Sequence, residues 1–254
     1  MPDPCDRVSL ALFARAPIAG RTKTRLIPAL GAEGAAALSR AFLHDTLARV
    51  AELDAEVTIW AASEDDRAAL AEEVTVAIKE RSGATAGRHL LPFPGVGVPA
   101  RSGATNVIAV QPEGDLGARM EAALRAGLER TGRALVLGTD APTLPLSHLR
   151  AAIAALDRAE VVLGPAADGG FWAIGARAPL ALGPGVRWSS RHALADTIAL
   201  LERAGRTLER IAPWYDVDTG ADLALLRAHL ALRPGAAPHT AAALACFDPP
   251  LKPQ

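Results

Sequence analysis

The sequence predicts an α/β fold, a single domain in which a mostly parallel sheet carries helices on both faces. Three observations predict it. Apolar runs of strand length alternate with longer segments of helical spacing from Val8 to Leu230, the pattern of strand, crossover helix and parallel strand. Half of the residues are hydrophobic, enough for a core that is buried from two sides. The length, 254 residues, exceeds the usual domain size, but a doubly wound sheet fills it as one unit.

Val8–Ala14 is an apolar run ending at Arg15, Ala16 and Pro17, a buried first strand that runs into a loop. From Gly31 to Leu53 the residues Ala37, Leu38, Ala41, Phe42, Leu47 and Val50 recur at helical spacing and predict a long amphipathic helix over one sheet face. Val57–Ala61 follows as a strand and Asp65–Glu73 as a helix. Arg81–Asn106 is rich in Gly, Pro and Ser, repeats Arg-Ser-Gly-Ala-Thr at 81 and 101, and reads as a loop insertion able to serve as a lid. Alternation resumes with strand Val107–Gln111, helix Leu116–Arg130, strand Ala134–Gly138 and helix Leu146–Leu156. Strands Val161–Gly164 and Phe171–Gly175, helix Arg191–Ala204, strand Thr207–Ile211 and helix Ala221–Leu230 complete it. Residues 7–232 thus make the domain. Residues 233–254, with Pro234, Pro238, Pro249, Pro250 and Pro253, read as a loose C-terminal extension. In such a sheet, ligands sit beyond the carboxyl ends of the strands.

The 27 Lys and Arg residues nearly balance 28 Asp and Glu, for a net charge of -1, so no global field draws the protein to nucleic acid or an anionic membrane. Phosphate binding has to be local. Cys5 and Cys246 lie near opposite ends without metal-ligand neighbours and read as free thiols. The acidic start, with Asp3 and Asp6, is unlike a signal peptide, and no apolar run approaches the roughly 20 residues that span a bilayer. A cytoplasmic protein is the expectation. The oligomeric state is not legible.

Arg15, Ala16, Gly20, Arg21, Lys23 and Arg25 fall between the first strand and first helix, where a turn at Gly20 can aim backbone amides and cations at a phosphate chain. Lys is rare in this Arg-rich chain, so Lys23 points to a need for a compact ammonium. The loop is not a P-loop, because Pro17 and Thr22 stand where that motif needs glycines. A solvated basic turn is the bland alternative.

Asp140 ends a buried strand in Gly138-Thr139-Asp140-Ala141-Pro142, a place suited to a Mg2+ ion, or Mn2+ in its stead, shared with phosphate oxygens and water. A helix N-cap is the alternative. Asp216 and Asp218 alternate in an extended segment before a helix, so both can face one ion; a cap at Asp218 or Thr219 would explain only part of the pair. Gly114, Asp115, Leu116 and Gly117, and also Asp168 before two glycines, mark strand-end turns on the same rim, where backbone can approach a ligand. Asp115 also suits a helix cap, and hairpin chemistry alone would select Asp168. Trp188-Ser189-Ser190 offers either a phosphate contact or a cap. No histidine set has metal-ligand spacing, and no Ser/His/Asp or Cys/His set assembles.

Phe13-Ala14-Arg15-Ala16-Pro17, Gly20-Arg21-Thr22-Lys23-Thr24-Arg25-Leu26, Gly114-Asp115-Leu116-Gly117-Ala118-Arg119-Met120, Gly138-Thr139-Asp140-Ala141-Pro142, Asp168-Gly169-Gly170-Phe171 and Asp216-Val217-Asp218-Thr219 come in an order that resembles the radical-SAM/selenodomain-associated transferase family, often labelled glycosyltransferase. The resemblance covers about Val8 to Leu230 and implies a GT-A-like, Rossmann-like fold. The Lys23–Leu26 loop and the Asp140-x-Pro142 turn are also similar to those of guanylyltransferases of deazaflavin and molybdenum cofactor synthesis. That similarity implies that Lys23 and Arg25 clamp phosphates, that Asp140 and Asp218 hold Mg2+, and that Gly114–Gly117 lie near base or acceptor.

Three functions follow. Nucleotidyl transfer from a nucleoside triphosphate to a small phosphorylated acceptor comes first, with Lys23, Arg25 and the metal stabilising charge on the phosphoryl oxygens. Glycosyl transfer from a nucleotide-sugar comes second, with Asp168 as base, although Thr139-Asp140-Ala141 lacks the second Asp of a DxD motif. A non-catalytic nucleotide-binding module comes third.

Overall fold

The computed structural model describes residues 7–83 and 108–247. The strands are Val8–Ala14 (β1), Ala55–Ala61 (β2), Ile108–Val110 (β3), Ala134–Gly138 (β4), Val161–Pro165 (β5), Phe171–Ala176 (β6) and Leu208–Arg210 (β7). They form one sheet in the order β3-β2-β1-β4-β6-β5-β7. All neighbours are parallel except β6, which runs antiparallel to both β4 and β5. The largely parallel sheet is therefore present, with one strand reversed by the turn through Asp168. That turn is tight enough to return the chain beside β5, so no crossover helix intervenes.

The helices are Ile27–Val50 (α1), Glu64–Gly83 (α2), Leu116–Thr131 (α3), Leu146–Ala155 (α4), Ala193–Arg203 (α5), Gly220–Leu232 (α6) and Pro238–Ala245 (α7). Leu43, Leu47 and Val50 of α1, Leu70 and Val74 of α2 and Leu149 of α4 pack on one face of the sheet. Met120 and Leu124 of α3 and Leu201 of α5 cover the other. The predicted insertion 81–106 lies outside the described residues, apart from 81–83, which end α2.

Two sequence expectations change. The first concerns α1, whose long run follows Gly31 as expected but is preceded by a separate turn, Ile27–Leu30, across a non-helical break at Gly31 with φ 72° and ψ 170°. Its middle is buried nearly all round rather than on one stripe. Thr24–Val50 is long and apolar enough, by composition, to cross a bilayer, but the sheet takes one side and a further layer takes the other. There Leu38 and Phe42 meet Val217, Leu223 and Leu226 of the α6 region and Leu244 of α7.

The second concerns the tail, which is not loose where described. Its α7 docks on α1 and has no cap of its own. Asp45 of α1, 2 % exposed, supplies one by accepting from the amides of His239 (3.1 Å) and Thr240 (2.8 Å) and from the Thr240 hydroxyl (2.6 Å). A carboxylate at a helix start satisfies amides that have no acceptor within the helix. Arg49 adds a second tie, donating to the Pro142 carbonyl at 2.6 Å and the Ala236 carbonyl at 2.5 Å.

Register sets the site. Phe13 pairs with Gly138, Ala14 with Ala61, and Ala61 with Val110. The strands β1 to β4 therefore end level, and the loops after them open on one rim.

Candidate active site

Along that rim runs a cleft of about 800 Å3, within the size range of small-molecule sites. It brings together Arg15, Arg21, Lys23, Arg25, Gly114, Leu116, Asp140, Asp168 and Asp218, residues drawn from five separate loops.

One wall is the loop after β1. The Thr22 hydroxyl lies 3.1 Å from that of Ser39, which fastens the loop to α1. The amides of Arg21 and Thr22 turn back to the Ile18 carbonyl at 3.0 and 3.2 Å, and the exposed Gly20, at φ 78°, makes that turn. Lys23 then takes a left-handed conformation, φ 45° and ψ 43°, and a 3-10 turn, Thr24–Leu26, leads straight into α1. Among the described residues, the amides of Lys23, Thr24 and Arg25 have no backbone acceptor. They are the orphan donors of a helix start, and successive amides in such a turn form an anion-binding concavity. Arg15, Arg21 and Arg25 surround it with exposed guanidinium groups.

The floor is acidic. The Val217 amide donates to the Asp140 carbonyl at 2.9 Å, which ties the two acidic segments together. Lys23 closes the arrangement: its Nζ donates to Asp140 Oδ1 at 2.8 Å, Asp218 Oδ1 at 2.7 Å and the Val217 carbonyl at 2.7 Å. Its side chain is only 6 % exposed and rests 5.5 Å from the centre of the Phe42 ring. Burial would lower the Lys23 pKa, but the charges and hydrogen bonds of Asp140 and Asp218 outweigh it and hold the ammonium above its ordinary value. A lysine in the left-handed region is strained, by roughly 1–2 kcal/mol for an L-residue. Three charge-assisted or carbonyl contacts offset that cost.

Asp216 sits half-buried and does not line the cleft. Burial raises its pKa first, and the carboxylates of Asp140, Asp168 and Asp218 add to the rise, bringing it to about 7. Asp168 lines the cleft, with Oδ1 accepting from the Gly170 amide at 2.8 Å. Gly169, at φ 89°, leaves no room for a Cβ against the Arg191 backbone, so the Asp168 turn is seated on the start of α5.

Several predicted contacts turn to structural duties. Ala16 is buried, with its amide directed to Asp66 Oδ1 at 3.4 Å. Asp115 caps α3 through the Ala118 amide at 2.8 Å. Gly117 is a packing glycine: a Cβ there would stand 2.7 Å from the Leu182 carbonyl and 2.8 Å from the Trp188 ring. Asp218 is not the cap of α6, since Thr219 and Asp222 form a full capping box.

Sequence reasoning missed Arg119 as a site residue, while the cleft does include Ser189 of the expected Trp188-Ser189-Ser190 segment. Arg119 enters the cleft, its Nε donating to the Gly114 carbonyl at 3.1 Å and an Nη to Gln111 Oε1 at 3.5 Å, while Gln111 in turn donates to the Trp60 carbonyl at 2.9 Å. An arginine on the first turn of a rim helix was the available signal. Ser189 also lines the cleft, in a left-handed conformation at φ 56°. Its neighbour Ser190 makes the local turn, contacting the Arg187 carbonyl at 2.6 Å and the His192 amide at 3.2 Å.

The family model described as "Uncharacterized protein conserved in bacteria (DUF2064)" matches residues 46–190, more than half of the chain. The chain belongs to this family. A solved structure from Desulfovibrio desulfuricans G20, described as a "putative nucleotide-diphospho-sugar transferase", is similar over 93 % of each chain at 26 % identity with a TM-score of 0.74. The 4-diphosphocytidyl-2C-methyl-D-erythritol synthase of Anaerococcus prevotii DSM 20548 shares the fold alone, at 12 % identity and a TM-score of 0.50 over 89 % of this chain and 99 % of that one. No curated protein matches this DUF2064 chain. The mixed α/β sheet of this family member is thus of the GT-A-like nucleotide-sugar transferase type.

Proposed function

We propose that this DUF2064 protein is a divalent-cation-dependent nucleotidyltransferase that moves a nucleoside monophosphate from a triphosphate to a small phosphorylated acceptor. One observation carries the reading. Among the described residues, the turn Lys23–Arg25 ahead of α1 presents three amides with no acceptor within a ring of arginines, in the same cleft as the carboxylates of Asp140 and Asp218. Phosphate in such a turn is favoured by the free backbone donors and by the surrounding positive charge. Arg21 and Arg25 suit the β and γ phosphates as fork-shaped donors, and Arg15 stands beside them at the rim.

The residues present fit a hard cation. Among the described residues, Asp140 and Asp218 each keep one carboxylate oxygen without a protein donor, and both side chains are open to the cleft, at 48 % and 42 % exposure. Mg2+ asks for one or two carboxylates and takes its remaining ligands from phosphate and water, so Asp140 and Asp218 suffice, with Asp216 behind them. When bound, the cation supplies neutralisation of charge on the phosphoryl oxygens. The helix-start amides and the arginines orient the triphosphate for in-line displacement and stabilise the pyrophosphate that leaves. Arg119, anchored at two atoms, stands at the wing of the cleft where Gly114 and Leu116 open a place for base or acceptor.

Glycosyl transfer from a nucleotide-sugar is the second reading, favoured by Asp168 in the cleft beside Phe171 and Trp172 and by the description of the Desulfovibrio neighbour. Asp168 would then serve as base to an acceptor hydroxyl. The resemblance to radical-SAM-associated transferases and cofactor guanylyltransferases, and the cytoplasmic setting read from the sequence, fit either chemistry. The test is to incubate the protein and Mg2+ with each nucleoside triphosphate and each nucleotide-sugar. Thermal stabilisation by a triphosphate, with pyrophosphate released once an acceptor is supplied, is the expected result. Stabilisation by nucleotide-sugars alone would transfer the assignment to glycosyl transfer.

A further inference from the structure

We infer that the Lys23 ammonium occupies the seat of the divalent cation, so that ammonium and cation compete for the same two carboxylates and the cation binds together with the nucleotide rather than before it. The inference rests on the nucleotidyl-transfer reading. Three ammonium protons meet three acceptors: Asp140 Oδ1, Asp218 Oδ1 and the Val217 carbonyl, at 2.8, 2.7 and 2.7 Å. Two carboxylates and a carbonyl are also the donor chemistry of a hard cation. The contacts leave Lys23 no donor for a phosphate, so it cannot serve both partners at once.

The surroundings explain how exchange could occur. The Phe42 ring, 5.5 Å from Nζ, forms an apolar and weakly cation-binding back wall. The stem of Lys23 starts at the left-handed residue that opens the 3-10 turn before α1, beside the amides that have no backbone acceptor among the described residues. A phosphate seated on those amides offers the ammonium a new anionic partner within the same cleft. A cation arriving with that phosphate takes over both carboxylates, and the ammonium passes to the phosphate oxygens. Without nucleotide, the ammonium repels the cation and holds one oxygen of each carboxylate. Arg25 cannot take this role, since it is exposed and outside the pair of carboxylates.

The experiment titrates the full chain with Mn2+ alone and follows free Mn2+ by electron paramagnetic resonance, for the wild type and for Lys23→Met, with and without a non-hydrolysable nucleoside triphosphate. Methionine retains an apolar stem against Phe42. Without nucleotide, Lys23→Met should bind Mn2+ at least about tenfold tighter than the wild type. The nucleotide should tighten Mn2+ binding to the wild type about tenfold or more, and do so far less in the variant. Equal or weaker Mn2+ binding by Lys23→Met, or no Mn2+ binding by either protein at millimolar concentrations, overturns the inference. If the variant does not fold, a crystal of the wild type with Mn2+ and the analogue decides: Nζ parted from both Oδ1 atoms supports the exchange, and Nζ still bridging them beside bound Mn2+ contradicts it. Tighter Mn2+ binding by the variant with no effect of any nucleotide would overturn the coupling to nucleotide and the nucleotidyl reading with it, and support the competition between ammonium and cation alone.

Discussion

The two walls of the cleft handle charge in opposite ways. On the loop side Arg15, Arg21 and Arg25 stand exposed and form no ion pair among the described residues. On the floor Lys23 is buried and saturated by two carboxylates and a carbonyl. Exposed cations cost little to keep apart in water, whereas a buried ammonium needs partners. The arginines are therefore free to serve a ligand and contribute little to stability. Lys23 does both, holding the start of α1 to the acidic segments until something replaces it.

That contrast gives predictions in descending size. Asp140→Ala should reduce turnover by about 10²–10³-fold, the scale for removing a main electrostatic stabiliser. Steady-state kinetics on a triphosphate substrate checks it, and near-normal turnover would remove Asp140 from the account. Arg25→Ala should weaken nucleotide binding by roughly 10–100-fold, matching one lost charge-assisted contact of about 1.5–3 kcal/mol, while calorimetry finds Tm essentially unchanged. A large fall in Tm would mean that the loop arginines are structural after all.

Away from the cleft, Asp45→Ala strips the N-terminus of α7 of its acceptor and should cost about 2–3 kcal/mol, or roughly 5–10 °C in Tm. Activity of the folded variant should persist, because Asp45 lies on the outer side of α1. Asp216 gives a pH signature in the metal-stripped protein. Its folded pKa, raised to about 7 by burial and by Asp140, Asp168 and Asp218, lies above the unfolded value near 3.8. Between these values the folded state binds the extra proton, so this group makes stability fall as pH rises toward 7. Asp216→Asn should flatten that slope and raise Tm at neutral pH by a few degrees. An unchanged slope of Tm against pH would show that Asp216 ionises normally.

Much of the scaffold was legible because it is written locally. The strand Ala134–Gly138 and the start of α3 at Leu116 follow from an apolar run and an Asp cap. The cluster of Lys23, Asp140 and Asp218 was legible as a list of residues, since each ends a strand or opens a helix on one rim. Their mutual arrangement was not. Nothing near Lys23 in sequence tells that its ammonium reaches Asp218, 195 positions away. The same distance hides α7: its proline-rich sequence reads as loose because its cap is Asp45, which only the fold supplies. Gly117 looked like a ligand turn because the Trp188 ring above it comes from a remote loop. Arg119 was passed over because an arginine on a helix resembles any solvated charge until Gln111 and the Gly114 carbonyl fix it at the cleft.

The most direct measurement is a crystal structure of the protein with Mg2+ and a non-hydrolysable nucleoside triphosphate that stabilises it. The account predicts phosphate oxygens within hydrogen-bond distance of the Lys23, Thr24 and Arg25 amides, and the metal between those phosphates and Asp140 and Asp218. Phosphates bound elsewhere in the cleft, with those amides left to water, would contradict it.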